Sequence, residues 1–565
     1  MHKDSVAGGE AVWRKLCRTC GTPVAVFVLY AAITAGFWAP AGSRFVHQFI
    51  GDGGDNFVFV WNPWWVARCL AEHRSPYFCE LQYAPFGTPL VFHCLALVPT
   101  LVIAGLTKLL SLPLAYNLVA AGLSPVAGLC AYALANYVTR DRAAAVAGGV
   151  VFMLCPYMAS KLLGHMNLSC AAFLPLYTLW LFRAVDEGGR ASRIGVTLSY
   201  LLILFSSEPT LVFAANVTVW YWLYRSIRTR RWHDEIARFA RALAPAAVIT
   251  AAWGAFLLRY AIRYNVVPAR HGTLIDAPEP LNFLLPIHSM SVWREWLAPA
   301  GSLGMRLSNL ELAVYLGWFV LPMAAAGLWL RRRDPRMRFL AIVLVCAVVL
   351  ALGHKLQWHR QVVRVFDHAL RLPMIFYRHI TVLGAVGQCG RYMAIGYMAM
   401  AVGVAGLVAH IRQRTGHIGA RAAGAIAVVL ICIDYAHIAP TVEAPALVIP
   451  PGQGRVLDPR IEASHSLYCQ THHGRPLVGG YVSRPPTGLR ERYEAMPGIG
   501  WFFQDPRRRG SPPPAADVQA GLRALDIRYV CVAPRSDDRR VLEAAGLRVV
   551  HEDALDATLA VGNGP

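Results

Sequence analysis

Residues 194–225 read IGVTLSYLLILFSSEPTLVFAANVTVWYWLYR, an apolar run interrupted once, at Ser206-Ser207-Glu208-Pro209. One helix crosses a hydrocarbon core of about 30 Å with about 20 apolar residues, so this run is too long for one span. The interruption predicts two helices folding back as a hairpin. Glu208 then lies between two apolar runs, where an ionisable side chain is costly and usually faces a cavity or a partner.

The rest of the chain has the same character. Its 565 residues are 56% hydrophobic and only 15% charged, with mean hydropathy +0.41, against roughly 45–50% and about 25% in soluble domains. Further apolar segments fall near 23–39, 91–112, 114–138, 143–160, 169–184, 241–260, 312–331, 337–353, 391–410 and 420–438. The composition excludes an ordinary soluble enzyme and predicts a polytopic α-helical membrane protein. Segment 23–39 is longer than a signal-peptide core and precedes no small-residue cleavage site, so it reads as a retained first helix. Segment 91–112 carries His93, Pro99, Gly105 and Lys108, which suits an interfacial or re-entrant stretch.

Charge placement orients these segments. The formal net charge is +21, and the excess sits in short Arg-rich loops, which points to the positive-inside rule and away from nucleic acid. With the N-terminus inside, 91–112 not crossing and 194–225 folding back, the inner loops receive Arg140 and Arg142, Arg183, Arg190 and Arg193, then residues 225–241, 331–338 and 412–421. If 91–112 crossed and 194–225 were one helix, those first five arginines would lie outside. About eleven spans are therefore expected, within a transmembrane domain 1–440 that includes an external loop 40–113. Residues 441–565 differ: 15 Arg balance 14 Asp and Glu. Short β-type runs at 454–457, 477–482, 527–533 and 547–551 alternate with helical stretches at 515–525 and 538–545, which predicts a small external α/β domain.

The residues after the first span carry the most chemistry. Gly51-Asp52-Gly53-Gly54-Asp55-Asn56 is followed by Trp61-Asn62-Pro63-Trp64-Trp65 and by Tyr83-Ala84-Pro85-Phe86-Gly87-Thr88-Pro89-Leu90. Two carboxylates three residues apart in a glycine-rich turn can converge as a base and its partner or as a divalent-cation pair. The tryptophans behind them are expected at headgroup depth. The plainer alternative is that Asp52 and Asp55 only cap a helix starting near Asn56.

In this order the motifs resemble the first external loop of bacterial integral-membrane glycosyltransferases of the GT-C superfamily. Further landmarks of the resemblance are Pro156-Tyr157, Gly164-His165-Met166-Asn167, Glu311 with Tyr315-Leu316-Gly317, Arg391-Tyr392, Gln470, residues 479–484 ending at Arg484, and Arg528-Tyr529-Val530. The resemblance implies an active site on the external face of the inner membrane and an acidic base, Asp52 or Asp55. It also implies a polyprenyl-phosphate-linked sugar as donor, inverting transfer, and a glycan, lipid or protein acceptor.

Other polar groups near the outer rim are candidates for substrate binding. Arg391 opens a span and suits a lipid-linked phosphate, with Arg378 and His379 as weaker versions and snorkelling to headgroups as the alternative. Lys161 shares a helix face with His165 at i, i+4. His165, Asn167 and Glu208 complete the set, each with a purely structural alternative. Asp434, in the last span, is a candidate partner for a neighbouring helix. No metal site is assigned beyond a divalent cation at Asp52 and Asp55, and the Cys17-x-x-Cys20 spacing lacks a second ligand pair. No nucleotide-binding signature occurs. A flippase for a lipid-linked sugar and a non-catalytic envelope assembly protein are the rival classes.

Overall fold

The computed structural model describes residues 23–266, 277–286, 293, 310–359, 361–378, 386, 388–437, 440–460, 464–483, 485–553 and 556–561. Cys17, Cys20, His379, Arg484 and the side chain of Arg378 lie outside the described residues. Among the described residues six helices are long and apolar enough to cross a membrane: Pro23–Ala41, Leu112–Thr139, Arg142–Lys161, Met166–Asp186, Trp232–Arg263 and Cys389–Gly416. The protein is a polytopic helical membrane protein.

Two stretches behave as their sequence suggests for a physical reason. The 194–225 run is two helices, Arg190–Leu204 and Glu208–Thr229. Between them, Ser207 accepts the Thr210 N–H through its hydroxyl, at 3.3 Å, and so caps the second helix. Within 91–112 the helix is only Leu97–Leu106, 10 residues, or about 15 Å at 1.5 Å per residue, half of what a crossing needs.

The chain folds as two compact units, the first comprising Met1–Val46, Asn117–Thr250 and Arg270–Thr441. Its centre is the buried stretch 393–409 of Met393–Asp434, two helices that meet at a kink at Gly416 (φ 75°), and this central helix packs through small residues. A Cβ on Gly327 would fall 1.8 Å from the Gly403 carbonyl oxygen, so only glycine lets these backbones approach that closely. At the arginine-rich helix ends, Asp186 accepts from Arg336 Nη2 at 2.8 Å, from Tyr221 Oη at 2.7 Å and from Arg225. Arg225 also donates through Nε to Glu235 at 2.8 Å. These pairs tie the helices Leu174–Asp186, Glu208–Thr229 and Pro335–Ala351 together with the start of Trp232–Arg263. Asp434 is a structural partner: its carboxylate accepts from the backbone N–H of Trp318, Phe319 and Val320 at 2.8–2.9 Å and from Tyr315 Oη at 2.6 Å. It thereby satisfies orphan donors at the start of the helix Val320–Leu330.

The second unit comprises His47–Tyr116, Ala251–Ala269 and Val442–Pro565. It holds a five-stranded sheet in the order Leu477–Gly479, Arg455–Asp458, Ile527–Val532, Ala557–Ala560, Arg548–Glu552, with the first three parallel and the last two pairings antiparallel. Helices Ala515–Ala524 and Asp537–Ala544 accompany it. Residues 81–84 cover the edge: Leu477 N–H donates to Leu81 at 2.8 Å, and Tyr83 and Ala84 N–H donate back to Gly479 and Leu477 at 2.9 and 2.8 Å. A bare edge strand would expose a row of unpaired backbone groups. Residues 47–116 and 442–565 thus share one unit.

Candidate active site

The Gly51–Asn56 turn lies in the second unit. Gly51 and Gly53 take φ of 140° and 88°, which side chains with a Cβ rarely adopt. The exposed Asp52 carboxylate accepts the Gly54 N–H at 3.1 Å. Asp55 occupies the N-cap position of the helix Asn56–Ala71, but its side chain makes no capping bond. It accepts instead from the Tyr481 hydroxyl at 3.0 Å. Burial, then the Asp55 charge, raises the Tyr481 hydroxyl above its usual range. Ser464 Oγ holds the Gly54 carbonyl at 2.7 Å. The carboxylates thus do not act as the simple caps that spacing allows.

Two of the three tryptophans, Trp61 and Trp65, are core residues, while Trp64 is half-buried. Trp61 and Trp65 are fully buried and stack at 5.6 Å, and Trp61 donates to Gln470 Oε1 at 2.8 Å. A buried indole N–H needs such an acceptor. Beside them, His93 Nδ1 accepts the Ser483 N–H at 3.2 Å, so Nε2 carries the proton and donates to Asn62 Oδ1 at 3.0 Å. Burial lowers His93 to about 3 from 6.5. The folded state therefore binds fewer protons than the unfolded chain between those values, and stability falls as pH drops through that window. Thermal unfolding from pH 7 to 4 is expected to show this slope, and His93→Gln is expected to flatten it. An unchanged slope would show that His93 does not contribute.

The first unit gathers Lys161, His165 and Arg391 around Glu311. Lys161 ends the helix Pro156–Lys161, Glu311 sits in the short turn Leu310–Leu312, and Arg391 lies in the turn Cys389–Tyr392 leading into the central helix. Arg391 donates through Nη2 and Nε to the two Glu311 oxygens at 2.5 and 3.0 Å, and Lys161 Nζ donates at 2.7 Å. His165 Nε2 stands 3.9 Å from Glu311 Oε1. Burial and then the Lys161 charge lower His165 to about 3, so its ring is neutral at physiological pH. Burial opposes ionisation of Glu311, but Lys161 and Arg391 outweigh it and hold the carboxyl well below the usual range. The four groups carry one net positive charge.

The other candidates lie in the first unit. Asn167 is buried in the turn Met166–Ser169, and its Oδ1 has no hydrogen-bond partner among the described residues. Glu208 is exposed in the first turn of its helix, where a carboxylate complements the helix dipole. Glu311 is a landmark of the resemblance without a role assigned from sequence, and Tyr481, read from sequence as a sugar-stacking ring with packing as the alternative, instead donates to Asp55. Two cations facing apolar surroundings signal a missing counter-charge, and Glu311 supplies it. Among the described residues no group of three or more His, Cys, Asp or Glu is placed to hold a metal ion.

Residues 119–436, more than half the chain, match the family described as domain of unknown function (DUF6311). The chain belongs to the DUF6311 family. No curated protein matches it. Among solved structures it is similar to the arabinofuranosyltransferase AftD from Mycobacteria, with a TM-score of 0.55 and 14% identity, over 96% of this chain and 40% of that one. It is also similar to the oligosaccharyltransferase of Archaeoglobus fulgidus (TM-score 0.49, 11% identity, 90% and 69% covered). A third similar structure is ArnT from Cupriavidus metallidurans bound to undecaprenyl phosphate (TM-score 0.41, 11% identity, 94% and 97% covered). The DUF6311 protein spans about two fifths of AftD's length. Its fold is similar to that of AftD.

Proposed function

We propose that this DUF6311 protein transfers a glycosyl unit from a polyprenyl-phosphate carrier to an acceptor at the external face of a bacterial inner membrane, with inversion. The observation that carries the reading is the carboxylate pair: Asp52 is exposed on a glycine turn, and Asp55 beside it is held by Tyr481. Asp52 takes the proton from the acceptor hydroxyl, whose oxygen attacks the anomeric carbon as the bond to the phosphate oxygen breaks. Asp55 positions the turn. In the first unit Lys161 and Arg391, with Glu311 between them, are the candidate phosphate-binding cations; His165 and Asn167 are candidate neutral hydrogen-bonding groups, and Glu208 stays a binding candidate. The pair Asp52 and Asp55 supplies two oxygen ligands toward a divalent cation, which takes six to eight in the calcium case, and the base mechanism runs without one.

In this reading the membrane domain 1–440 crosses about eleven times with the N-terminus cytoplasmic, and residues 441–565 form an external domain. Purified protein in proteoliposomes, supplied with a radiolabelled polyprenyl-phosphate sugar and an envelope glycan extract, is expected to move label to the acceptor. A Cys placed at Ser536 is expected to react from outside and one at Arg333 from inside. Label that crosses the bilayer without changing its chemical linkage would establish a flippase instead, and neither movement nor transfer would favour an assembly protein.

A further inference from the structure

Between the apolar helix Pro335–Ala351 and the central helix, residues 355–371 form a small β unit. Gln357–Trp358 pairs with Gln361–Val362, and Arg364–Val365 pairs with His368–Ala369. The two pairings are fastened together. Val363 N–H donates to Leu356 at 2.9 Å, Leu370 N–H to Val363 at 2.9 Å and Leu356 N–H to Leu370 at 3.1 Å, while Lys355 bridges Arg371. Its outer turn is Phe366-Asp367, with φ of 48° and 62°. Two-residue hairpin turns of this kind favour Asn and Gly, and a bulky residue at positive φ is an outlier. A phenylalanine nevertheless stands there, 93% exposed, with Val365, Trp358 and Leu370 also exposed. Strain combined with full exposure of an aromatic ring points to a use for that ring outside the chain.

The charges say what kind of surface it meets. Arg364 and His368 stand in the strands beside the apolar tip and Asp367 is the acid in the turn, while Lys355 and Arg371 face each other at the base of the unit. From the facing segment, Glu279 accepts the His359 N–H at 2.8 Å. Three residues separate Ala351 from Lys355, a reach of at most about 14 Å over the four steps, so the unit begins at the end of an apolar helix. Aromatic rings settle at headgroup depth, and nearby cations are drawn to anionic lipid. A tip this narrow lacks the roughly 800 Å² that each partner buries in a stable protein interface.

We propose that this hairpin is a wedge seated in the anionic headgroup layer of the bilayer, with Phe366 as its apolar point. The proposal is independent of the glycosyltransferase reading. The test uses the full chain with His368→Cys carrying an environment-sensitive fluorophore and the unsubstituted protein labelled in parallel as background. The protein is reconstituted in phosphatidylcholine vesicles with or without phosphatidylglycerol. The probe is expected to be quenched by shallow brominated lipid and shielded from aqueous iodide, more so with phosphatidylglycerol. Phe366→Gly, which relieves the turn, is expected to abolish the shielding. Arg364→Gln and Arg371→Gln are each expected to shift the equilibrium toward water by about fivefold, the equivalent of about 1 kcal/mol per cation. Equal iodide quenching in both lipids, or shielding that survives Phe366→Gly, would overturn the wedge.

Discussion

Asp52→Asn is expected to lower kcat for glycosyl transfer by about 10²–10⁴-fold with little change in donor KM, the loss seen when a positioned base is removed. The amide keeps the size of the carboxylate and the bond from the Gly54 N–H, so the turn should persist while proton acceptance is lost. Asp55→Asn is expected to cost less, on the order of tenfold, because an amide oxygen still accepts from the Tyr481 hydroxyl, and Tyr481→Phe should reproduce that smaller loss. The reverse ranking, with Asp55→Asn the severe variant, would move the base to Asp55. Full activity in both variants, measured on protein with an unchanged unfolding midpoint, would remove the chemistry from this loop.

Glu311→Ala is expected to destabilise the protein by about 3–5 kcal/mol, the range for deleting one partner of a buried ion pair. Lys161 and Arg391 both turn toward this carboxylate, and the Lys161 side chain is only 2% exposed. Removing the Glu311 carboxylate leaves the buried Lys161 and the partly buried Arg391 side by side without that counter-charge. Pairing Glu311→Ala with Lys161→Met should recover much of the loss, because the second change removes one uncompensated charge. The double-mutant cycle, read from unfolding midpoints in detergent, isolates that coupling. Additive losses would mean that the three groups do not act as a unit. If Lys161 and Arg391 hold the donor phosphate, Arg391→Lys should raise donor KM more than it shifts stability, since a lysine cannot reproduce the bidentate fork.

Some of this molecule could be read without a fold. Hydropathy depends on composition along the chain, so the membrane class followed from apolar runs, and the break at Ser206-Ser207 followed from local helix chemistry. The strand Leu477–Gly479 falls within a short β-type run and Arg455–Asp458 overlaps one for the same reason, whereas Ala557–Ala560 is too plain in composition to stand out. Trp61 and Trp65 misled because an indole has the same amphipathic profile whether it finds its acceptor at a headgroup or in a core, as Trp61 does on Gln470.

Asp55 and Glu311 mark the division most clearly. The sequence by itself determined that Asp52 and Asp55 share a glycine turn, because residues three apart are bound to be close whatever the rest of the chain does. It also placed Lys161 and Arg391 at the ends of apolar segments, which is a matter of one-dimensional charge placement. Only the tertiary structure decided that Tyr481, 426 residues away, donates to Asp55. The same holds for Glu311, which lies 150 residues from Lys161 and 80 from Arg391 and neutralises one of the two cations. Pairings of that separation carry no local signal: they exist because burying a charge requires a counter-charge, and only the packed chain determines which residue arrives to supply it.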